Sequence, residues 1–201
     1  NFSISDDFTK TLLEDSNVFE SNHVVNHDAN NLINYGSCLQ PVELFTDNVS
    51  PDDGYIVYKL DAGEGKTWTN LSVNIQAMLS HGGGAYWYNS SFQGGNNVLG
   101  ANIYIDISDT NSNYQRICDL NELNGNWIAQ HNHNESREGA TFNSTVDLTS
   151  YALDKQVIYV RIYIMHFTAQ EINIPAWGTE TIGFIYLGAG VDKVAFEGNK
   201  A

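Results

Sequence analysis

Strict alternation of apolar and polar side chains most limits how this chain can fold. Leu71, Val73, Ile75, Ala77 and Leu79 fall on one side of an extended segment, and Ser72, Asn74 and Gln76 fall on the other. That period of two belongs to a half-buried strand, and no helical face competes with it. The same reading covers residues 55–60, 101–107, 114–118, 141–148, 157–167, 181–187 and 191–197, each bounded by Gly, Asn, Asp or Ser. About eight or nine such strands predict an all-β chain, a jelly-roll-like antiparallel β-sandwich.

Within that set, residues 157–167 carry Ile158, Val160, Ile162 and Ile164 on one face and Tyr159 and Tyr163 on the other. Both faces are therefore expected to be covered, which makes this a central strand. The three prolines, at 41, 51 and 175, fall between strand candidates, as a paired ladder requires. Two short helices are expected near Phe8 to Asp15 and Asn121 to Gln130. No repeat or Pro/Ser-rich linker divides the chain, so a single domain over residues 1–201 is expected. Residues 1–50 would supply an edge strand and wrapping loops, and 51–198 the sandwich core. Wrapping of this kind would also shield exposed strand edges.

Charge narrows the partners. The chain carries 24 acidic and 9 basic side chains, a formal charge of −15, and no cluster of Lys or Arg along the sequence. Nucleic acid and anionic membrane are thus not expected as partners. The longest apolar run, Val157 to Phe167, is broken by Arg161 and His166 and is far shorter than the ~20 residues of a membrane helix. The start, Asn-Phe-Ser-Ile, reads as a mature fragment or a piece of a longer chain. Cys38 and Cys118 are compatible with one disulfide or with two separate thiols. Asn-x-Ser/Thr sequons begin at Asn1, Asn48, Asn70, Asn89, Asn134 and Asn143, as expected by chance in so Asn-rich a chain. Abundant Asn, Gly and Tyr with few Lys suggests an extracellular, polysaccharide-handling protein.

Candidate ligand-binding residues come from aromatic loops. His81-Gly-Gly-Gly-Ala-Tyr86-Trp87-Tyr88-Asn89 sets three consecutive aromatic residues after three glycines, and a regular strand cannot pack all three rings inward. A sugar presents a C–H face that stacks on such a ring, while its hydroxyls bond to amides, carboxylates and Arg. Trp87 is equally readable as a core residue, with Tyr86 and Tyr88 covering a sheet. A second loop holds Trp127, His131, His133, Arg137 and Glu138, and Trp177 is a third candidate platform over a turn. His131-x-His133 with Glu138 also fits half of a cupin metal motif. Thr145 replaces its expected Gly, the second motif is missing, and the only later His is His166. Asp109-x-Asn111-x-Asn113 opens like a calcium loop, but Tyr114 stands where Gly is needed, so a hairpin turn is expected there. Pairing of the first and last strands would bring Asp6 or Asp7 towards Asp192 or Glu197. Asp7 and Glu197 are accordingly the expected metal ligands, for one structural calcium. Asp106 is the nearest to a catalytic carboxylate but lacks an evident partner acid.

The order of features along residues 55–75, then Lys155-Gln-Val-Ile-Tyr-Val-Arg-Ile-Tyr-Ile164 and Val191-Asp-Lys-Val-Ala-Phe-Glu197, resembles the galactose-binding-like carbohydrate-binding modules of bacterial secreted glycan-active enzymes. The resemblance spans residues 50–198. It implies a jelly roll with a calcium ion near the chain ends, binding sugar at loop tips or on a concave sheet face. It also implies no catalysis of its own and a place in a larger multidomain protein, such as a glycoside hydrolase, secreted or held at the cell surface. The alternatives are a β-sandwich enzyme, either cupin-like or polysaccharide-degrading, and an adhesin or spacer domain.

Overall fold

The computed structural model describes residues 1–8, 17–22, 24–28, 37–41, 50–83, 86–88, 91–93, 102–126, 138–169 and 185–201. Their strands are β1 (Phe2–Asp6), β2 (Val18–Asn22), β3 (Val24–Asp28), β4 (Ser37–Pro41), β5 (Ser50–Asp61), β6 (Trp68–Gly83), β7 (Tyr86–Tyr88) and β8 (Ser91–Gln93). Then come β9 (Asn102–Ser108), β10 (Gln115–Asp119), β11 (Glu138–Asp147), β12 (Val157–Ala169) and β13 (Ile185–Lys200). Two single-turn helices, α1 (Leu120–Leu123) and α2 (Thr149–Ala152), complete the described elements.

The strands form an all-β sandwich in which every ladder between strands is antiparallel. One layer runs β1-β13-β6-β11 and the other β2-β5-β12-β9-β10. The layers are stitched together where Phe167, Thr168 and Ala169 of β12 pair with Leu187, Tyr186 and Ile185 of β13. β4 touches β13 at Val191 and pairs with β3, while β7 and β8 form a small separate hairpin.

The core follows from the alternation. Leu71, Val73, Ile75, Ala77 and Leu79 of β6 meet Ile158, Val160, Ile162 and Ile164 of β12 and Ile103 and Ile105 of β9 in one buried cluster. Tyr58 of β5 packs edge-on against Phe196 of β13 at 5.0 Å, and its hydroxyl donates to Asp6 Oδ2 on β1 at 3.1 Å. Asp6 is buried, and its Oδ1 accepts from the Phe8 amide, so it ends β1 by satisfying a turn. Gly198 leaves room for β6 to approach closely, since a Cβ there would lie 2.6 Å from the Asn70 carbonyl oxygen.

Several expectations need correction. Residues 181–187 and 191–197 belong to one long β13, as far as the described residues reach. The register shift between Val191 and Lys193 is a bulge at Asp192, not a turn, and a second shift falls between Asn199 and Lys200. His81 to Gly83 extend β6 instead of opening a loop, and Tyr86 to Tyr88 pair with Gln93 to Ser91. Pro41 ends β4, and Pro51 sits in β5 opposite Phe167. Both lie at strand ends, where a missing N–H is tolerated. Of the helix expected over 121–130, the described residues up to Asn126 hold only the single turn α1, and Phe8 has φ of 54°, which is not helical. β12 is central as expected, flanked by β5 and β9.

Candidate functional site

The outward face of the second layer collects side chains that are distant in sequence. Register aligns Glu20, Val57, Arg161, Asp106 and Arg116 in one row across β2, β5, β12, β9 and β10. The next row holds Tyr55, Tyr163 and Tyr104. Alternation puts them there: Ile103, Ile105 and Ile107 turn inward, so Tyr104 and Asp106 turn outward.

Asp106 is 1% exposed despite facing out, because two guanidinium groups lie over it. Its Oδ1 accepts from Arg116 Nε at 3.0 Å, and its Oδ2 accepts from Arg161 Nε at 3.1 Å and Nη2 at 2.8 Å. Charge-assisted bonds of this kind fix the planes of both cations. The Arg116 guanidinium sits 3.6 Å above the Tyr104 ring, and that of Arg161 4.2 Å above the Tyr114 ring. Asp106 is thus an anchor beneath two cations, and neither of its oxygens is presented to a ligand.

A rim of acceptors and rings surrounds this clamp. The Tyr55 hydroxyl donates to Glu20 Oε1 at 2.9 Å, and Glu20 Oε2 accepts from Asn111 Nδ2 at 3.2 Å. The Tyr114 hydroxyl donates to Asn111 Oδ1, and the Tyr163 hydroxyl to Asp53 Oδ2. At the Tyr159 end, a bulge in β2 turns Phe19 outward, half-exposed and edge-on to Tyr159 at 5.4 Å. Lys59 Nζ lies 5.9 Å from the Phe19 ring. Arg116, Arg161 and Lys59 share the face with Asp106, Glu20 and Asp53, and register adds Asp119 opposite Tyr104 and Asp61 at the end of β5, a balance that suits a neutral ligand better than a polyanion.

The tyrosines hold their protons unusually well. Burial pushes the Tyr114 hydroxyl up to about 12 against the opposing pull of Arg161. Burial, then the bond to Asp53, also raises Tyr163, and the bond to Glu20 followed by burial raises Tyr55. Unfolding returns these groups towards their ordinary value of 10.0. The unfolded chain then binds fewer protons above that pH, so stability is whole below it and falls as pH rises towards 12. Urea midpoints should decline over that window, and part of the phenolate absorbance should appear only on unfolding.

Of the residues expected from sequence, Tyr86, Trp87 and Tyr88 are placed as a strand, while their side chains lie outside the described residues. Trp127, His131, His133, Arg137 and Trp177 fall outside them altogether. The first and last strands do pair, but Glu197 stands opposite Ser3, and Asp7 follows Asp6, which faces Val194. Asp7 and Glu197 are therefore about four residues apart along the ladder. Asp192 lies in the β13 bulge with a buried, unpartnered Oδ1, and burial raises its pKa. Among the described residues no group of three or more His, Cys, Asp or Glu converges as a metal site. The 109–113 segment is a turn, with Asn111 and Asn113 at φ of 56° and 52°, and Asp109 Oδ2 accepts from Lys155 Nζ. Cys118 carries a free thiol, raised to about 11 by burial.

No protein-family model matches this chain, and no curated protein does. Among solved structures it is similar to TmCBM61 in complex with beta-1,4-galactotriose, at 7% identity and a TM-score of 0.35, over 90% of this chain and 88% of that one. So remote a likeness transfers no ligand, and the site is read from its own side chains.

Proposed function

We propose that this chain is a non-catalytic carbohydrate-binding module that takes a neutral glycan on the outward face of β2, β5, β12, β9 and β10. The clamp of Arg116 and Arg161 on Asp106, set among tyrosines, carries the reading. Among the described residues, the Arg116 Nη atoms make no hydrogen bond, and its side chain is 47% exposed. These donors are aimed before any ligand arrives. Phe19 supplies an exposed ring for a C–H face, and Glu20 and Asp53 supply acceptors for hydroxyls. Tyr159, Arg161 and Tyr163 alternate along one strand, which suits a linear chain lying along β12. In this reading the module is secreted, belongs to a larger glycan-active protein and holds it against its polysaccharide. A structural calcium ion belongs to the same proposal.

A panel of neutral soluble and insoluble polysaccharides, run with calcium and with chelator, tests it. Phe19→Ala and Arg116→Ala should each weaken binding about tenfold or more, equivalent to about 1.4 kcal/mol. Loss confined to Trp87→Ala or Trp127→Ala would move the site to the aromatic loops. Retention of no polysaccharide, with stoichiometric transition metal lost on His133→Ala, would overturn the module in favour of an enzyme.

A further inference from the structure

A cavity of about 360 Å³ opens at the turn between β9 and β10. Its floor is Ile107 and Ile158, both members of the core cluster. It therefore belongs to the inward side of the second layer, whereas Arg161 faces outward. The Tyr151 side chain of α2 forms one wall, and the turn 108–113 forms another.

The lining converges on one chemistry. Among the described residues, no hydrogen bond is made by the side-chain amides of Asn113 and Gln115 or by the Tyr151 hydroxyl. Asp109 and Lys155, paired at 3.3 Å, set an acceptor and a donor at the rim with no net charge. The turn is fixed in shape: Ser108 Oγ accepts from the Thr110 amide at 3.2 Å and the Ser112 amide at 3.3 Å. An apolar floor, one aromatic wall and a few convergent polar groups are the makings of a small-molecule site, and this volume is near the small end of the usual range. A phosphate or carboxylate ligand would find its only lining cation already paired, in a chain of charge −15. Planar amides with a ring wall fit hydroxyls and C–H bonds instead.

We propose that this cavity is a second binding site, separate from the outward face, that takes a single neutral hexopyranose, free or at the end of a glycan. Glucose, galactose and mannose, titrated separately into the isotopically labelled intact chain, provide the test by amide NMR. At least one sugar should shift the amides of residues 109–113 and 151–155 saturably, and Gln115→Ala should weaken that binding about tenfold. Gln115 is exposed, so the variant should fold, and an unchanged melting temperature checks this. Amides of residues 57–59 and 161–163 report on the outward face, so failure of either site is seen independently of the other. Absence of shifts at 109–113 with all three sugars, or unchanged affinity in both Gln115→Ala and Lys155→Met, would overturn the proposal.

Discussion

Replacing Asp106 with Ala should lower the unfolding free energy by about 2–3 kcal/mol and abolish glycan retention on the outward face. Removing one member of a buried, bonded charge group leaves the others uncompensated, which typically costs about 3–5 kcal/mol. The expected value lies at or below the lower edge because the cations left behind are 24% and 47% exposed and regain water. Without the carboxylate, Arg161 and Arg116 lose the contacts that fix their planes, so donors that were aimed become mobile. Urea unfolding reads the first effect, with an unchanged m-value, and polysaccharide retention reads the second. Asp106→Leu combined with Arg116→Met and Arg161→Met separates the two. An apolar trio of similar volume often restores stability, yet it offers nothing to a sugar hydroxyl. If that triple variant still bound glycan, the clamp would have no part in recognition.

Trp68→Ala should be the most destabilising single truncation, at about 4 kcal/mol. The ring is fully buried, and Phe2 of β1 meets it edge-on at 4.8 Å. Its amide donates to the Lys155 carbonyl at 2.9 Å and its carbonyl accepts from the Asp154 amide at 3.2 Å, so this residue ties β6 to the segment after α2. Its register partner is Lys200 of β13. The ring itself bridges β6 to Phe2 of β1 and to Lys200 of β13, whose Nζ lies 5.7 Å from it, and these contacts are lost on truncation while the backbone bonds to 154–155 remain. Trp68→Phe should cost much less. The indole Nε1 is buried without a hydrogen-bond partner, so replacing the indole removes an unsatisfied donor along with some volume. Thermal unfolding of the pair gives the comparison, and equal losses would mean that the donor is satisfied in solution.

Strands β5, β6 and β9 to β13 were legible because each carries its own alternation, whereas β2, β3, β4, β7 and β8 were not foreseen. Ile158 to Ile164 announced both an inner face and, through Tyr159 and Tyr163, a covered outer one. The site was only half legible. Asp106 stood out only as a carboxylate lacking a partner acid, and nothing local pointed to the cations that cover it. Its partners are Arg116, across a hairpin, and Arg161, on a strand 55 positions further along. Pairing register creates that contact, and register is not written in any one segment. The same register gathers two of the three arginines on one face although they form no run in sequence. Phe19 was invisible for a related reason, because a bulge in β2 decides which way it points. Asp7 and Glu197 pose the converse question of register. Partnering of the first and last strands was foreseen, but a shift of a few residues decides whether two carboxylates meet.

That partnering has a consequence for how the molecule reaches its native state. Phe2 lies opposite Gly198, and β13 also pairs with β6, β12 and β4. Most of the first layer therefore waits on a strand whose neighbours lie far back along the chain. Closing such long loops is entropically unfavourable before any contact rewards it, and chains dominated by distant pairings fold in about milliseconds to seconds, not microseconds. Until β13 arrives, β6 exposes an unpaired edge carrying Val73, Ile75 and Leu79. Refolding from denaturant should accordingly be slow and sensitive to protein concentration, because another copy's β6 can occupy that edge first.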